Sequence, residues 1–210
     1  CGYGGQSAKS IPGGCFRFVP LKPGEPPFCA PPTPSAAQLG NPLVCQTLSL
    51  TPAFRQLSGT DENAVIALLC RLNILEAHFV HLRQPAWLRP SRLEFIQSGV
   101  KLQPGEVDAL WSATVPAESG DSSWLVCCEV KTGGDDILDE QLVDVTNSML
   151  LSARFPGTEG VIPLAVKRLP EGKLFIAEYC PVRRRAPHVP VASVSRQSGT
   201  VVEFVPSLRG

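Results

Sequence analysis

One stretch of the sequence decides the fold, Trp124-Leu125-Val126-Cys127-Cys128-Glu129-Val130-Lys131. It is a continuous apolar run that ends in two charged residues separated by one valine. Such a run predicts a buried strand. Residues two apart on a strand share a face, so we expect Glu129 and Lys131 to point the same way while Val130 packs inward.

A second segment upstream repeats this arrangement of acids on one face of a strand. In Gly105-Glu106-Val107-Asp108-Ala109-Leu110-Trp111, Glu106 and Asp108 alternate with apolar residues. The polar loop at residues 116–121 predicts a hairpin, which would place Asp108 beside Glu129 at about 5 Å. Like charges at that separation cost energy unless a cation joins them. Oxygen ligands, partial hydration and a phosphate substrate favour Mg²⁺ over zinc.

A cation held by these two carboxylates indicates hydrolytic chemistry. Bound Mg²⁺ can polarise a phosphodiester and lower the pKa of a coordinated water. Lys131 beside it can orient that water or stabilise negative charge that develops on the phosphate. The alternative is an exposed sheet face on which Lys131 simply pairs with Glu129 or Asp108, contributing about a few tenths of a kcal/mol.

The elements around these strands are predicted in the order helix, three strands, helix, strand. Apolar periodicity predicts one long first helix, with Thr60 as its N-cap and its end near Val80. The remaining predictions are strands at 92–97, 106–113 and 123–131, a helix at 136–154, and strands at 161–166, 174–179 and 201–205. Such a chain is predicted to be α/β, with helices packed against a central sheet.

The strand that carries Asp108, the hairpin, and then Glu129 and Lys131 flanking one valine resemble the PD-(D/E)XK nuclease superfamily. The resemblance implies a restriction-endonuclease-like core, a mixed central sheet flanked by helices, over residues 61 to about 168. It also implies that Asp108 and Glu129 bind Mg²⁺ or Mn²⁺ and that Lys131 assists the attacking water. The sequence departs from the family pattern at its first motif, where Val107 replaces the proline before the aspartate.

The same resemblance points to two further catalytic candidates. Many members of the family use a glutamate from the first helix, for which Glu62 is the candidate. Some carry a glutamine on the helix after the lysine, and Gln141 matches that position. The plain alternatives are a helix-start carboxylate for Glu62 and a solvated helix residue for Gln141. Glu171-Gly172-Lys173 has the same acid-x-Lys pattern as Glu129-Val130-Lys131, but it lies in a predicted turn with no apolar strand before it.

The charge of the chain restricts how it can bind nucleic acid. The net charge is +0, so contact with DNA must come from local basic patches. Two patches are candidates for phosphate contact and base stacking: Arg83, Trp87, Arg89 and Arg92 before the strands, and Arg183, Arg184 and Arg185 near the C-terminus.

Composition divides the chain into three predicted parts. Residues 1–50 are rich in proline and glycine and are predicted to be an arm that binds a protein partner, residues 51–181 the nuclease-like core, and residues 182–210 a basic tail with a short strand. Cys127 and Cys128 lie in an apolar run, which favours buried thiols in an intracellular compartment, either the cytoplasm or the nucleus or nucleoid. The sequence contains no apolar run long enough to predict a membrane span.

These observations predict an Mg²⁺-dependent endonuclease that hydrolyses DNA phosphodiester bonds, of restriction type and acting as a homodimer. A branched-DNA resolvase or repair nuclease on the same core is the first alternative. The second is a catalytically silent nuclease-like domain that binds nucleic acid or another protein.

Overall fold

The chain folds into a large mixed sheet with helices on its faces. A computed structural model describes residues 6–11, 15–20, 32–57, 61–81, 88–102, 105–118, 120–133, 137–185 and 189–208. The strands are β1 Gln6–Ile11, β2 Cys15–Pro20, β3 Leu43–Gln46, β4 Arg92–Leu102, β5 Gly105–Val115, β6 Ser122–Lys131, β7 Gly160–Arg168, β8 Leu174–Tyr179, β9 Val182–Arg183 and β10 Arg196–Val205. The helices are α1 Ala36–Gly40, α2 Pro52–Leu57, α3 Glu62–Arg71, α4 Ile74–His81 and α5 Asp139–Leu151, with a 3₁₀ turn at Pro170–Gly172.

Eight strands form the main sheet in the order β3-β10-β8-β7-β6-β5-β4, with β9 paired to β7. The pairs β6–β7 and β3–β10 are parallel, and the other neighbours are antiparallel. Helix α5 connects β6 to β7, as a parallel pair requires a crossover. Strands β1 and β2 form a separate hairpin. The α/β prediction and the central mixed sheet are therefore confirmed.

The central strands β6, β7 and β8 are buried on both faces, which explains why β6 is a continuous apolar run. Alternate residues of β6 contact opposite layers of the core. One face carries Trp124, Val126, Cys128 and Val130 and packs against α3 and α4. The other carries Leu125 and Cys127 and packs against α5. The predicted burial of Cys127 and Cys128 is confirmed, since both are 0 % exposed.

The first helix is broken, and here the prediction of one continuous helix to Val80 is wrong. Helix α3 ends at Arg71 and α4 begins at Ile74, across a bend of 63°. Asn73 between them has a φ of 48°, in the left-handed region that interrupts a helix and that asparagine tolerates better than most residues. Among the described residues no single helix is long and apolar enough to cross a membrane, and only the bent pair α3–α4 passes that test together.

Parts of the predicted arm and tail belong to the main sheet, so the predicted boundaries at residues 50 and 182 do not separate units of the fold. Strand β3 pairs with β10 from Leu43 opposite Val202 to Gln46 opposite Val205. Strand β10 has ten residues and lies between β3 and β8, so it is interior to the sheet. The prediction missed this because β3 is short and the first half of β10 is polar. Backbone pairing, which the apolar pattern does not report, holds both strands in place.

Candidate active site

The candidate site lies at one end of the sheet, where β5 and β6 part. Their pairing ends with Ala109 opposite Cys128, and the next position in that register sets Asp108 opposite Glu129. There the main-chain N–H of Val130 donates a hydrogen bond to Oδ2 of Asp108 at 2.8 Å. A carboxylate oxygen thus takes the place of a backbone partner, which fixes Asp108 against the end of β6. The predicted closeness of Asp108 and Glu129 is confirmed.

The ammonium group of Lys131 lies between the two carboxylates. Its Nζ is 2.6 Å from Oε1 of Glu129 and 3.8 Å from Oδ2 of Asp108. The side chains of Glu129, Lys131 and Asp108 are 8 %, 18 % and 26 % exposed, respectively. The cluster is therefore largely withdrawn from water, unlike the solvated surface pairs that contribute little to stability.

Burial dominates the electrostatics of the cluster. It raises the pKa of Glu129 and of Asp108, and the negative charge of Asp108 raises the pKa of Glu129 further. For Lys131, burial alone would lower the pKa, but the hydrogen bond and charge of Glu129, with Asp108, raise it overall. Lys131 is therefore a cation in this arrangement, suited to stabilising negative charge rather than accepting a proton.

The glutamate at the start of α3 is brought to the same end of the sheet. Asp61 caps the helix, its carboxylate accepting a hydrogen bond from the N–H of Ala64 at 2.8 Å, while Thr60, the predicted cap, lies outside the described residues. Oε1 of Glu62 accepts a hydrogen bond from the hydroxyl of Thr132 at 3.0 Å. After burial and its nearer contacts, the charge of Glu62 is a further cause of the raised pKa of Asp108.

Gln141 is held elsewhere. Its Oε1 accepts a hydrogen bond from the N–H of Leu138 at 3.4 Å, which caps the start of α5. Among the described residues it makes no hydrogen bond with the two carboxylates or Lys131. Its catalytic role stays a prediction from the family resemblance.

The arginines near the C-terminus lie at the opposite end of the sheet. Arg183 is opposite Gly160, which is in register with Trp124, the residue seven positions before Lys131 on β6. At ~3.3 Å per residue of strand, this separates Arg183 from Lys131 by roughly 23 Å. These arginines can contact DNA only well away from the candidate site.

Two of those arginines also have structural partners. Arg184 donates to the carbonyls of Met149 and Ser152 at 3.3 and 3.4 Å, which satisfies the C-terminal end of α5. The Arg183 guanidinium lies 5.5 Å from the centre of the Trp124 ring and 3.4 Å from Oε2 of Glu159. Arg185 is exposed.

The earlier basic patch is described only in part. Arg92 is opposite Thr114, at the same far end of the sheet, and pairs with Glu94 at 3.4 Å in an exposed ion pair. Arg89 is exposed, and Arg83 and Trp87 lie outside the described residues. Their contact with DNA stays a prediction.

Two residues at the site end were not predicted from the sequence. Thr132 positions Glu62, and the only signal for it is a hydroxyl immediately after Lys131. Lys167 on β7 is in register with Lys131 on β6, so the two side chains share one face of neighbouring strands. The register of a parallel pair is set by the packing of its crossover and could not be read from spacing.

The two carboxylates of the site would hold a hard cation only together with a backbone carbonyl and water molecules. In the part of the chain that the structure describes, no group of three or more His, Cys, Asp or Glu side chains is arranged to hold a metal. Asp108 and Glu129 supply two carboxylates, and the carbonyl of Val130 faces the same edge as its N–H. Mg²⁺ commonly takes one or two carboxylates together with waters and substrate phosphates, so these residues fit it.

Comparison with protein-family models, with curated proteins and with solved structures finds no match for this chain.

Proposed function

We propose that this chain is an Mg²⁺-dependent endonuclease that hydrolyses DNA phosphodiester bonds. The observation that carries the proposal is the arrangement of Asp108, Glu129 and Lys131 where β5 and β6 part. One buried and one partly buried acid, both with raised pKa values, and one ammonium group lie within a few ångströms where β5 and β6 part. Such perturbed groups cluster at functional sites.

The order of the elements supports a restriction-endonuclease-like core. Helices α3 and α4 precede the antiparallel strands β4, β5 and β6, and α5 then leads to β7, parallel to β6. This is the order that the family resemblance implies. The branched-DNA resolvase and repair-nuclease readings share it, so substrate choice separates them from a restriction-type enzyme. A homodimer and a protein partner for the arm are also part of this proposal.

In the proposed mechanism, each residue of the site has a separate role. Asp108, Glu129 and the Val130 carbonyl would hold Mg²⁺, which supplies Lewis-acid activation of the phosphate and of a water. The hydrogen bond from Val130 restricts the orientation of the Asp108 carboxylate. Lys131 holds a positive charge where negative charge develops on the phosphate oxygens. Glu62, positioned by Thr132, adds a third carboxylate whose charge acts on Asp108 at the same end of the sheet.

Cleavage assays test this proposal directly. Supercoiled, linear and branched DNA are incubated with the protein in Mg²⁺, in Mn²⁺ and in chelator. We expect cleavage with metal only, loss of it in Asp108→Asn and Glu129→Gln, and retention in Glu94→Gln, which alters an exposed acid near the far end. Full activity of the Glu129→Gln protein would sink the catalytic assignment, and the preferred DNA form would separate the restriction-type and resolvase readings.

A catalytically silent domain is the second candidate, and one observation favours it. Lys131 already neutralises Glu129 at 2.6 Å and approaches Asp108 at 3.8 Å, so one of the two carboxylate charges is offset without metal. In that reading the cluster is a structural ion pair. Removing one carboxylate would then deprive Lys131 of a partner and cost stability.

Thermal unfolding with added metal distinguishes the two candidates. For the enzyme, Mn²⁺ should raise the melting temperature of the unmutated protein by mass action, and that of Asp108→Asn much less. In chelator, Asp108→Asn should be at least as stable as the unmutated protein because one of two close negative charges is gone. If neither protein responds to metal and Asp108→Asn is the less stable, the silent-domain reading is correct.

A further inference from the structure

A second group of cations lies beside Lys131 on the neighbouring strand. Lys131 and Lys167 are register partners in the parallel pair of β6 and β7, and Arg168 follows at the end of β7. Neighbouring strands are ~4.8 Å apart, so Lys167 continues the positive charge of Lys131 across the sheet. No residue of this group belongs to the basic patches predicted from the sequence.

Lys167 and Arg168 line a cleft next to the candidate site. The cleft has a volume of about 660 Å³, within the range of ~300–1,000 Å³ of ligand-binding pockets. Its described lining starts at Gly133, two residues after Lys131, and consists of Gly133, Lys167, Arg168, Leu169, Pro170, Glu171, Gly172 and Leu208. A ligand in this cleft would therefore lie directly beside the candidate site.

The far wall of the cleft is closely packed backbone. Gly172 has a φ of +75°, and a Cβ there would lie 2.6 Å from the carbonyl oxygen of Leu208. Only glycine fits this close approach, so the turn after β7 is locked against the C-terminal segment. The wall is thus preformed.

The charge of the lining favours an anion. Lys167 and Arg168 are cationic, and Glu171 is the one acid among the described lining residues. The Glu171 side chain is 79 % exposed and lies 3.7 Å from Nζ of Lys173, which also approaches Glu203 at 3.8 Å. That acid is therefore offset by a neighbouring lysine and directed toward solvent.

We propose that this cleft binds the phosphodiester backbone of the nucleic acid substrate, beside the phosphate that is cleaved, through Lys167 and Arg168. The inference rests on the proposed function. Lys131 and Lys167 lie on strands ~4.8 Å apart and each strand of B-DNA carries one phosphate per ~3.4 Å of axis, so a phosphate held near Lys131 has its neighbour within reach of the cleft. Phosphate contacts of this kind fix the register of a substrate without reading its sequence.

Binding of a fluorescein-labelled DNA duplex across a salt series tests the inference. It is measured on the Asp108→Asn protein, so cleavage does not interfere. Adding Lys167→Gln or Arg168→Gln should weaken binding about five- to tenfold at moderate salt and reduce the log–log salt slope by ~0.9 each. Lys167→Arg keeps the charge and should bind like the parent. Arg154→Gln, which removes one exposed cation after the C-terminal end of α5, is the matched control and should leave the slope unchanged.

The outcomes separate this inference from the proposed function. If the unmutated protein cleaves DNA but Lys167→Gln and Arg168→Gln leave the slope and affinity unchanged, the cleft is not a phosphate site and the nuclease proposal stands. If no DNA is cleaved yet both variants flatten the slope relative to Arg154→Gln, the cleft binds nucleic acid and the nuclease proposal fails. Equal losses in Arg154→Gln and Lys167→Gln would mean that binding follows bulk charge, which overturns the inference. Melting curves of each variant confirm that it is folded.

Discussion

Two almost fully buried glutamates lie in the same sheet in different surroundings. Glu129 lies two residues before the end of β6 and is 6 % exposed, while Glu178 lies in β8 and is 1 % exposed. Oε1 of Glu129 lies against the ammonium group of Lys131 at a point where two strands part. Glu178 lies instead within paired strands, opposite Leu164 on β7.

The surroundings of Glu178 form a buried polar network, in which Nε2 of His78 has no hydrogen-bond partner among the described residues. Its Oε2 accepts a hydrogen bond from the hydroxyl of Ser198 at 2.9 Å and lies 3.7 Å from Nε2 of His78. Nδ1 of His78 is 2.9 Å from Oγ1 of Thr200. His78 and Thr200 are 0 % and 3 % exposed, so the network joins α4 to β8 and β10 without access for a substrate.

The difference shows that a buried acid with a cationic or hydroxyl neighbour does not by itself mark a reactive site. His78, Glu178 and Thr200 combine residue types familiar from catalytic triads, yet they are sealed inside the fold. Glu129 lies near the end of β6, where the N–H of Val130 bonds to the side chain of Asp108 instead of to a backbone carbonyl of β5. Glu129 lies where the ladder between β5 and β6 is interrupted, whereas Glu178 lies where the ladders to β7 and β10 both continue.

The largest expected effect is on the rate of cleavage. Glu129→Gln should lower kcat by at least about a hundredfold because the charge that would hold the cation is lost, whereas Glu178→Gln should leave kcat near that of the unmutated protein. Turnover per folded molecule is measured with each DNA form in Mg²⁺. Equal losses of kcat in the two variants would remove the distinction between the two glutamates.

A second expected effect is on stability and runs the other way. Glu178→Ala removes a buried carboxylate that accepts the hydrogen bond of the partly buried Ser198 hydroxyl, which costs about 1–3 kcal/mol, or roughly 2–4 °C in melting temperature per kcal/mol for a chain of this size. Glu94→Ala removes an exposed acid and should change stability by less than ~0.5 kcal/mol. Thermal unfolding in chelator measures both. A Glu178→Ala protein as stable as Glu94→Ala would mean that the buried network is not a structural support.

A third expected effect concerns Thr132. Thr132→Val removes the hydroxyl that positions Glu62 while keeping the shape, and one hydrogen bond contributes about 0.5–1.5 kcal/mol, so kcat should fall about two- to tenfold. KM should change little because Thr132 touches no proposed substrate atom. Thr132→Ser restores the hydroxyl and should restore kcat. Failure of serine to rescue, or a change confined to KM, would contradict a positioning role.

The sequence correctly predicts the elements that are buried, because burial gives them a recognisable apolar pattern. Strand β8 is observed at the predicted residues 174–179, and β6 and α5 lie within a few residues of their predictions. The close approach of Asp108 and Glu129 followed from the hairpin alone, because hairpin neighbours share a register set by a short loop.

What depends on distant parts of the chain could not be predicted. The break at Asn73 needs a left-handed backbone that the apolar pattern does not reveal. Strand β10 is central because it pairs with β3 and β8, both far away in sequence. The same holds for the basic residues. Nothing in the sequence distinguishes Arg183 from Lys167 as a candidate for phosphate contact, yet the strand pairing places Arg183 at the far end of the sheet and Lys167 beside Lys131.

The smallest expected effect is in the dependence of stability on pH. Burial, the largest cause, raises the pKa of Asp108 and Glu129 above the ordinary carboxyl range near ~4. Between that range and the raised values, the folded protein holds more protons than the unfolded chain, so the free energy of unfolding falls as the pH rises. Asp108→Asn removes one of these titrations. It also removes one cause of the raised pKa of Glu129, so its melting temperature should fall less steeply over the same window. Melting temperatures in chelator, compared with Glu94→Gln as the exposed-acid control, measure the slopes. If the Asp108→Asn curve is as steep as those of the control and the unmutated protein, burial does not raise the pKa of the site acids. The proposal that a bound cation relieves their close negative charges would then lose its support.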